Sequence, residues 1–179
     1  MIITRPLWTA RAGQSSPIIT PHQTRPRLAE KKTMRSDIEQ ITQIILAVDN
    51  GINERWNRGD VDGALEVYSD DVSYFDPLTE LRLDGHAAVE AYFRKVFEGK
   101  LAILRNDYLQ PVVMVSDGGD MAVLHYNLRN IVSDGHGGEK PGTPWNSTQV
   151  FRLIDGRWRV VHVNWSITLH PGALQSLMS

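Results

Sequence analysis

The sequence predicts an α+β domain in which helices gathered toward the N-terminal side lie on one face of a curved, mainly antiparallel sheet built from the C-terminal side. Two patterns carry this expectation. Before Lys100, apolar residues recur at spacings of three and four, the mark of amphipathic helices; after it, β-rich runs alternate with short Asp- and Gly-containing turns. Helices first and strands last describe segregated layers, not the interleaved units of a parallel α/β sheet. A third observation bounds the size: 179 residues, 41% hydrophobic and 22% charged, suit one globular domain with a short extension.

Residues 1–34 stand apart. They hold Arg5, Arg11, Arg25, Arg27, Lys31 and Lys32 against the single acid Glu30, with prolines at 6, 17, 21 and 26 and no sustained periodicity. That describes a flexible basic tail. It lacks the apolar stretch of a signal peptide, its Arg-rich bias loosely matches a transit peptide, and Met34 is the expected start of translation. The domain is expected over 35–170, with a C-terminal tail over 171–179.

Ser36-Asp37-Ile38-Glu39 reads as a capping box, and Ile38, Ile41, Ile45, Val48, Ile52 and Trp56 follow as one apolar stripe. This first helix closes near Gly59. Asp60 can cap a second, short helix carrying Ala64, Leu65 and Tyr68. A strand through Val72 to Asp76 comes next. A third helix begins near Gly85 and buries Val89, Tyr92, Phe93, Val96 and Phe97. Four β-rich runs, Leu101 to Val115, Met121 to Val132, Asn146 to Ile154 and Arg157 to Leu169, complete an antiparallel meander.

Composition excludes several function classes. A net charge of -2 and a pI of about 6.3 give no electrostatic footprint for nucleic acid or an anionic membrane. Without cysteine there is no disulfide, thiol nucleophile or zinc-thiolate site. The histidines show neither helical i,i+4 pairing nor a close acid cluster, so no metal is expected, and nothing signals a cofactor. No eighteen apolar residues run together, so no span is expected and a cytoplasmic location is the simplest reading. The loop DGHGGEKPG, residues 134–142, has glycines but follows no strand-to-helix signature and reads as a hairpin tip.

The stretch Val72 to Gly85 raises the functional question. Asp76 precedes Pro77, which pushes it into extended geometry, and alternation puts Tyr74 on the same strand face. If that face is interior, Asp76 is a candidate general base; if exterior, it is a turn residue. Buried tyrosine hydroxyls need partners and tend to face a cavity, which makes Tyr74 and Tyr126, with Trp56 and Trp165, candidate ligand contacts.

The segments RWNRGDVDGALEVYSDDVSYFDP, LDGHAAVEAYFRKVF and VFRLIDGRWRVVHVNWS resemble the nuclear-transport-factor-2-like superfamily over roughly residues 36–170. The resemblance implies a cone-shaped fold of three N-terminal helices against a strongly curved sheet. Its nearest branches are SnoaL-type polyketide cyclases, ketosteroid isomerases and the association domain of calcium/calmodulin-dependent protein kinase II. In the isomerases the base is an aspartate before proline at the end of the first strand, which corresponds to Asp76. Their oxyanion partners, a tyrosine and a protonated aspartate, correspond to Ile52 and Gln149. An aliphatic residue cannot donate and an amide can, so Gln149 is the remaining candidate donor, with Tyr126 beside it. In the association domain the cavity is basic and aromatic; here the matching positions are Val89, Phe97, Leu128, Gln149 and Trp165, an apolar pocket suited to an uncharged, flat, hydrophobic molecule.

Which face of the last strand lines that pocket depends on its hairpin. If Asp155-Gly156 is a two-residue turn, Gln149 opposes His162; if Asp155-Gly156-Arg157 is a three-residue loop, Gln149 shares a face with Val161, Val163 and Trp165. The resemblance favours the second register, with Trp165 inside and Trp158, Val160 and His162 on the convex face, where relatives form homodimers. Two functions follow: an isomerase, cyclase or dehydratase in which Asp76 removes a proton beside a carbonyl, or a non-catalytic module that binds a small hydrophobic molecule or only itself.

Overall fold

The computed structural model describes residues 25–169, with side chains from 37 onward. The chain divides into two units, Met1–Met34 and Arg35–Ser179, and the second holds the fold and the site. The elements run α1 (Arg25–Trp56), α2 (Asp62–Leu65), β1 (Tyr68–Phe75), β2 (Leu83–Asp84), α3 (His86–Val96), β3 (Arg105–Val115), β4 (Met121–Ser133), β5 (Glu139–Ile154) and β6 (Arg157–Ile167). They form an α+β domain. The six strands make one mixed sheet in the order β2-β1-β6-β5-β4-β3, in which β1 runs parallel to β6 and every other pair is antiparallel.

Helix α1 does not begin at the Ser36 capping box but at Arg25. Pro26 is tolerated in a first turn, and Leu28 to Arg35 contains no breaker, so propensity carries the helix through the expected cap. Of the flexible tail expected over 1–34, residues 25–34 form part of α1; the rest of it, and the tail over 171–179, lie outside the described residues. Ile45 and Ile52 are buried as the stripe predicts, whereas Ile38 is exposed. The chain leaves the helix through Gly59, at φ +76°, where a Cβ would crowd the Gly99 backbone at 3.0 Å. Asp60 accepts from the backbone N–H of Asp62 and also pairs with Arg55, whose guanidinium reaches Glu66, so one arginine fastens α1 to the α2 turn.

Tyr68, expected on the second helix, instead opens β1 and is buried against the sheet. Strand β5 starts at Glu139, so half of the presumed hairpin tip is ordered ladder paired with Val132 and Ser133. Beneath the sheet, Ile45, Val72, Val89, Phe93, Leu124, Phe151, Val160 and Val163 form one core. Each is essentially solvent-free.

The last hairpin reconciles the two registers. Asp155 and Gly156, at φ 50° and 73°, form a two-residue turn that pairs Ile154 with Arg157. A bulge then shifts the ladder: Phe151 opposes Val160, but Val150 opposes His162 and Gln149 opposes Val163. Trp165 therefore faces inward, through the extra residue Val161 and not through a longer loop. The same bulge corrects the convex face. Val160 is fully buried in the core, and Trp158 packs against that core too, so neither covers an outer dimer face. That face carries His162, Asn164 and Ser166 on β6, and Leu109, Val112, Met114 and Met121 exposed on β3 and β4.

Candidate active site

Between the helices and the inward face of the sheet lies a cavity of about 410 Å³. Ile52, Asn53 and Trp56 of α1, Tyr68 and Tyr74 of β1, Phe93 of α3 and Phe97 just after it form one side; Leu128 and Asn130 of β4, Trp145 and Gln149 of β5 and Trp165 of β6 form the other. No lysine, arginine or histidine lines it. The aromatic wall is edge-packed: Trp56 meets Phe93 at 4.9 Å and Phe97 at 5.0 Å, Tyr74 meets Phe93 at 5.0 Å, and Trp145 meets Trp165 at 6.2 Å between ring centroids. Of the expected ligand contacts, Tyr74, Trp56, Phe97, Leu128 and Trp165 line the cavity. Val89 and Tyr126 do not: Val89 is solid core, and Tyr126 stands one layer behind the wall.

Asp76 lies at the end of β1, on the cavity wall and nearly buried. It combines both roles that alternation left open. Its Oδ1 accepts from the backbone N–H groups of Leu78 and Thr79 at 2.8 and 3.1 Å, which fixes the turn after Pro77. Its Oδ2 accepts from the Tyr74 hydroxyl at 2.8 Å, and the Tyr92 hydroxyl bridges both oxygens at 3.0 and 2.9 Å. Burial first, and the adjacent carboxylate second, push both phenols well above their ordinary range, so both remain donors. Tyr92 is legible on the buried stripe of α3, but its partner is not: a phenol there requires an acceptor, and only the fold brings Asp76 to it.

A second acid stands behind the cavity wall. Asp49 of α1 is 1% exposed. Its Oδ1 accepts from Gln149 Nε2 at 2.5 Å and from the Tyr126 hydroxyl at 3.1 Å. One turn on, Asn53 Nδ2 donates to the Asp49 carbonyl oxygen at 3.0 Å and to the Tyr126 oxygen at 3.3 Å. Burial raises the Asp49 carboxyl to about 6, against the opposing pull of these hydrogen bonds. Sequence reasoning missed this group, although a signal exists: Asp49 is four residues after Ile45 and three before Ile52, in the middle of the buried stripe. Gln149 lines the cavity as expected but does not aim its amide hydrogens there, because Nε2 points to Asp49, Tyr126 and Ser147. The role of oxyanion donor assigned to it does not fit this orientation.

A run of amides closes one edge of the cavity. Trp145 Nε1 donates to Asn130 Oδ1 at 2.7 Å, Asn130 Nδ2 to Asn106 Oδ1 at 2.7 Å, and Asn106 Nδ2 to Asn57 Oδ1 at 3.0 Å. It ties β5, β4 and β3 to the end of α1 and fixes the Trp145 ring. Among the described residues no cluster of three or more His, Asp or Glu could hold a metal, and no helix is long and apolar enough to cross a membrane.

Residues 50–161 match the family described as the SnoaL-like domain. No curated protein matches the chain. Among solved structures, a candidate ketosteroid isomerase from Parabacteroides distasonis is 28% identical with a TM-score of 0.58, over 69% of this chain and 85% of that one. The association domain of calcium/calmodulin-dependent protein kinase II from C. elegans is 21% identical with a TM-score of 0.61, over 73% of this chain and 98% of that one. A nuclear-transport-factor-2-like protein of unknown function from Pseudomonas putida is also 21% identical, with a TM-score of 0.60 over 76% and 92%. These likenesses reach the fold, which carries many functions.

Proposed function

Because the chain belongs to the SnoaL-like domain family, we propose that it admits an uncharged hydrophobic carbonyl compound to the aromatic cavity and moves a proton on it, with Asp76 as the base. One observation carries this reading: a nearly buried carboxylate stands on the wall of an apolar cavity with two tyrosine hydroxyls and no cation as partners. A cation would fix the charge in place; phenols hold the anion and can release an oxygen. The single Tyr92 proton serves one carboxylate oxygen at a time. When it rests on Oδ1, Oδ2 keeps only Tyr74 and has a lone pair for a substrate C–H beside the carbonyl. Proton transfer of this kind supports isomerisation, cyclisation or dehydration. The test is solvent deuterium exchange at the α-carbons of a panel of cyclic ketones, followed by NMR. The wild type accelerates exchange for at least one ketone and Asp76→Asn loses about 100-fold or more. No acceleration with any ketone, or equal rates in the variant, would falsify the reading.

A non-catalytic assembly module is the second reading. It is favoured by the likeness to an association domain and by the exposed apolar row Leu109, Val112 and Met114 on the outer sheet face. In it a second copy of the chain covers that row by two-fold pairing. Sedimentation of wild type beside Met114→Glu reads it: the wild type pairs at about 10 μM and the variant does not. A monomeric wild type rules it out.

A further inference from the structure

We infer that Asp49 is a positioning residue for Gln149: it turns the NH2 group inward and the carbonyl oxygen toward the cavity, so the substrate carries a hydrogen-bond donor, a hydroxyl, on that side. The inference rests on the proton-transfer reading and narrows its substrate class to hydroxylated carbonyl compounds.

The orientation of the Gln149 amide is set by an acceptor that cannot donate. Gln149 Nε2 lies 2.5 Å from the Asp49 carboxylate, which only accepts while ionised. Gln149 Oε1 has no protein hydrogen-bond partner. Yet the single fully buried side-chain polar atom without a partner, among the described residues, is the Tyr108 hydroxyl. The Gln149 oxygen is therefore not enclosed, and it opens onto the cavity that its side chain lines. That part of the cavity offers an acceptor to whatever enters.

Protonation of Asp49 would reverse the Gln149 amide. An Asp49 hydroxyl would donate to Oε1, and the NH2 would turn to the cavity. The groups facing Asp49 are Tyr68 of β1, Tyr108 of β3 and Tyr126 of β4, all neutral because burial raises their pKa, and no cation opposes the change. A hydroxyl-bearing ligand is therefore favoured above the Asp49 pKa of about 6 and loses its advantage below it.

A matched pair of probes tests this by quenching of the cavity tryptophans: 2-naphthol, which donates, and 2-methoxynaphthalene, which does not. At pH 7.5 the wild type binds the naphthol about tenfold more tightly than the ether. Gln149→Met brings the ratio close to one, and because the methyl bulk is common to both proteins, the change reads the amide. Between pH 7.5 and pH 5 the wild-type ratio falls, while in Asp49→Asn it does not change with pH. A wild-type ratio that is flat with pH overturns the inference without any variant. So does a preference that survives Gln149→Met. Failure of these alone leaves ketone exchange standing; absence of saturable binding of either probe to the folded wild type removes the cavity reading beneath it as well.

Discussion

Asp76 and Asp49 are both nearly solvent-free and bear on the same cavity, yet their surroundings differ in kind. Asp76 has four donors that compensate its charge, and two of them are backbone amides of its own turn. Asp49 sits in the middle of a helix, where the backbone offers it nothing. Its partners are side chains from across the sheet, and burial raises its pKa despite them. One acid takes half of its donors from its own turn, the other depends wholly on tertiary partners, and burial raises its pKa all the same. The difference teaches that the burial of a carboxylate does not decide its role; the source of its donors does.

Removing each acid in turn is the sharpest way to break that contrast. Asp76→Ala leaves two phenol hydroxyls and two backbone N–H groups without their acceptor, and it should destabilise the domain by about 4 kcal/mol at pH 7 in urea unfolding. A cost below about 1 kcal/mol would mean that the turn and the tyrosines find water as readily as the carboxylate.

The smaller effect belongs to Asp49, and its sign is opposite to that of an acid held by cations. Its folded pKa of about 6 lies above the unfolded value of 3.8, so the native state binds the proton more tightly. The resulting stabilisation is fully present below pH 3.8 and is lost as pH rises through 6, by about 3 kcal/mol in all. Asp49→Asn cannot titrate there. Its stability relative to wild type should therefore improve by about that amount between pH 3.5 and pH 7.5. Carboxylates such as Asp60 and Asp84, whose pKa is lowered by arginines, are common to both proteins and cancel in the difference. A difference that does not vary with pH would show that Asp49 has no raised pKa in the folded chain.

Much of this molecule is written locally. The stripe Ile45, Ile52, Trp56, the Asp-Pro after an aromatic strand and the Asp-Gly turn each fix a helix, a strand end and a hairpin by short-range physics. What is not legible arises where distant segments meet. Tyr92 announces that it needs an acceptor but not that the acceptor is Asp76. Asp49 interrupts an apolar stripe, and nothing near it in sequence names Gln149 or Tyr126 as its partners. Gln149 is readable as a cavity residue from its strand face, whereas the direction of its amide depends on an acid 100 positions away. The helix start failed for the opposite reason: a strong local signal at Ser36 was overridden by continuous helix-forming sequence before it.

The extra residue in β6 has a larger reach than its size suggests. Val161 interrupts a ladder whose side chains otherwise alternate strictly, and everything from His162 onward takes its face from that interruption. Were one residue lost there, the strand would exchange its two sides: His162, Asn164 and Ser166 would enter the cavity, and Val163 and Trp165 would go to solvent. A protein built this way can remake the chemistry of one wall in a single step by insertion or deletion, without changing the identity of any residue in the strand. For chains of this architecture, alignment gaps in the last strand are therefore chemical differences, to be read with the same care as substitutions in the cavity itself.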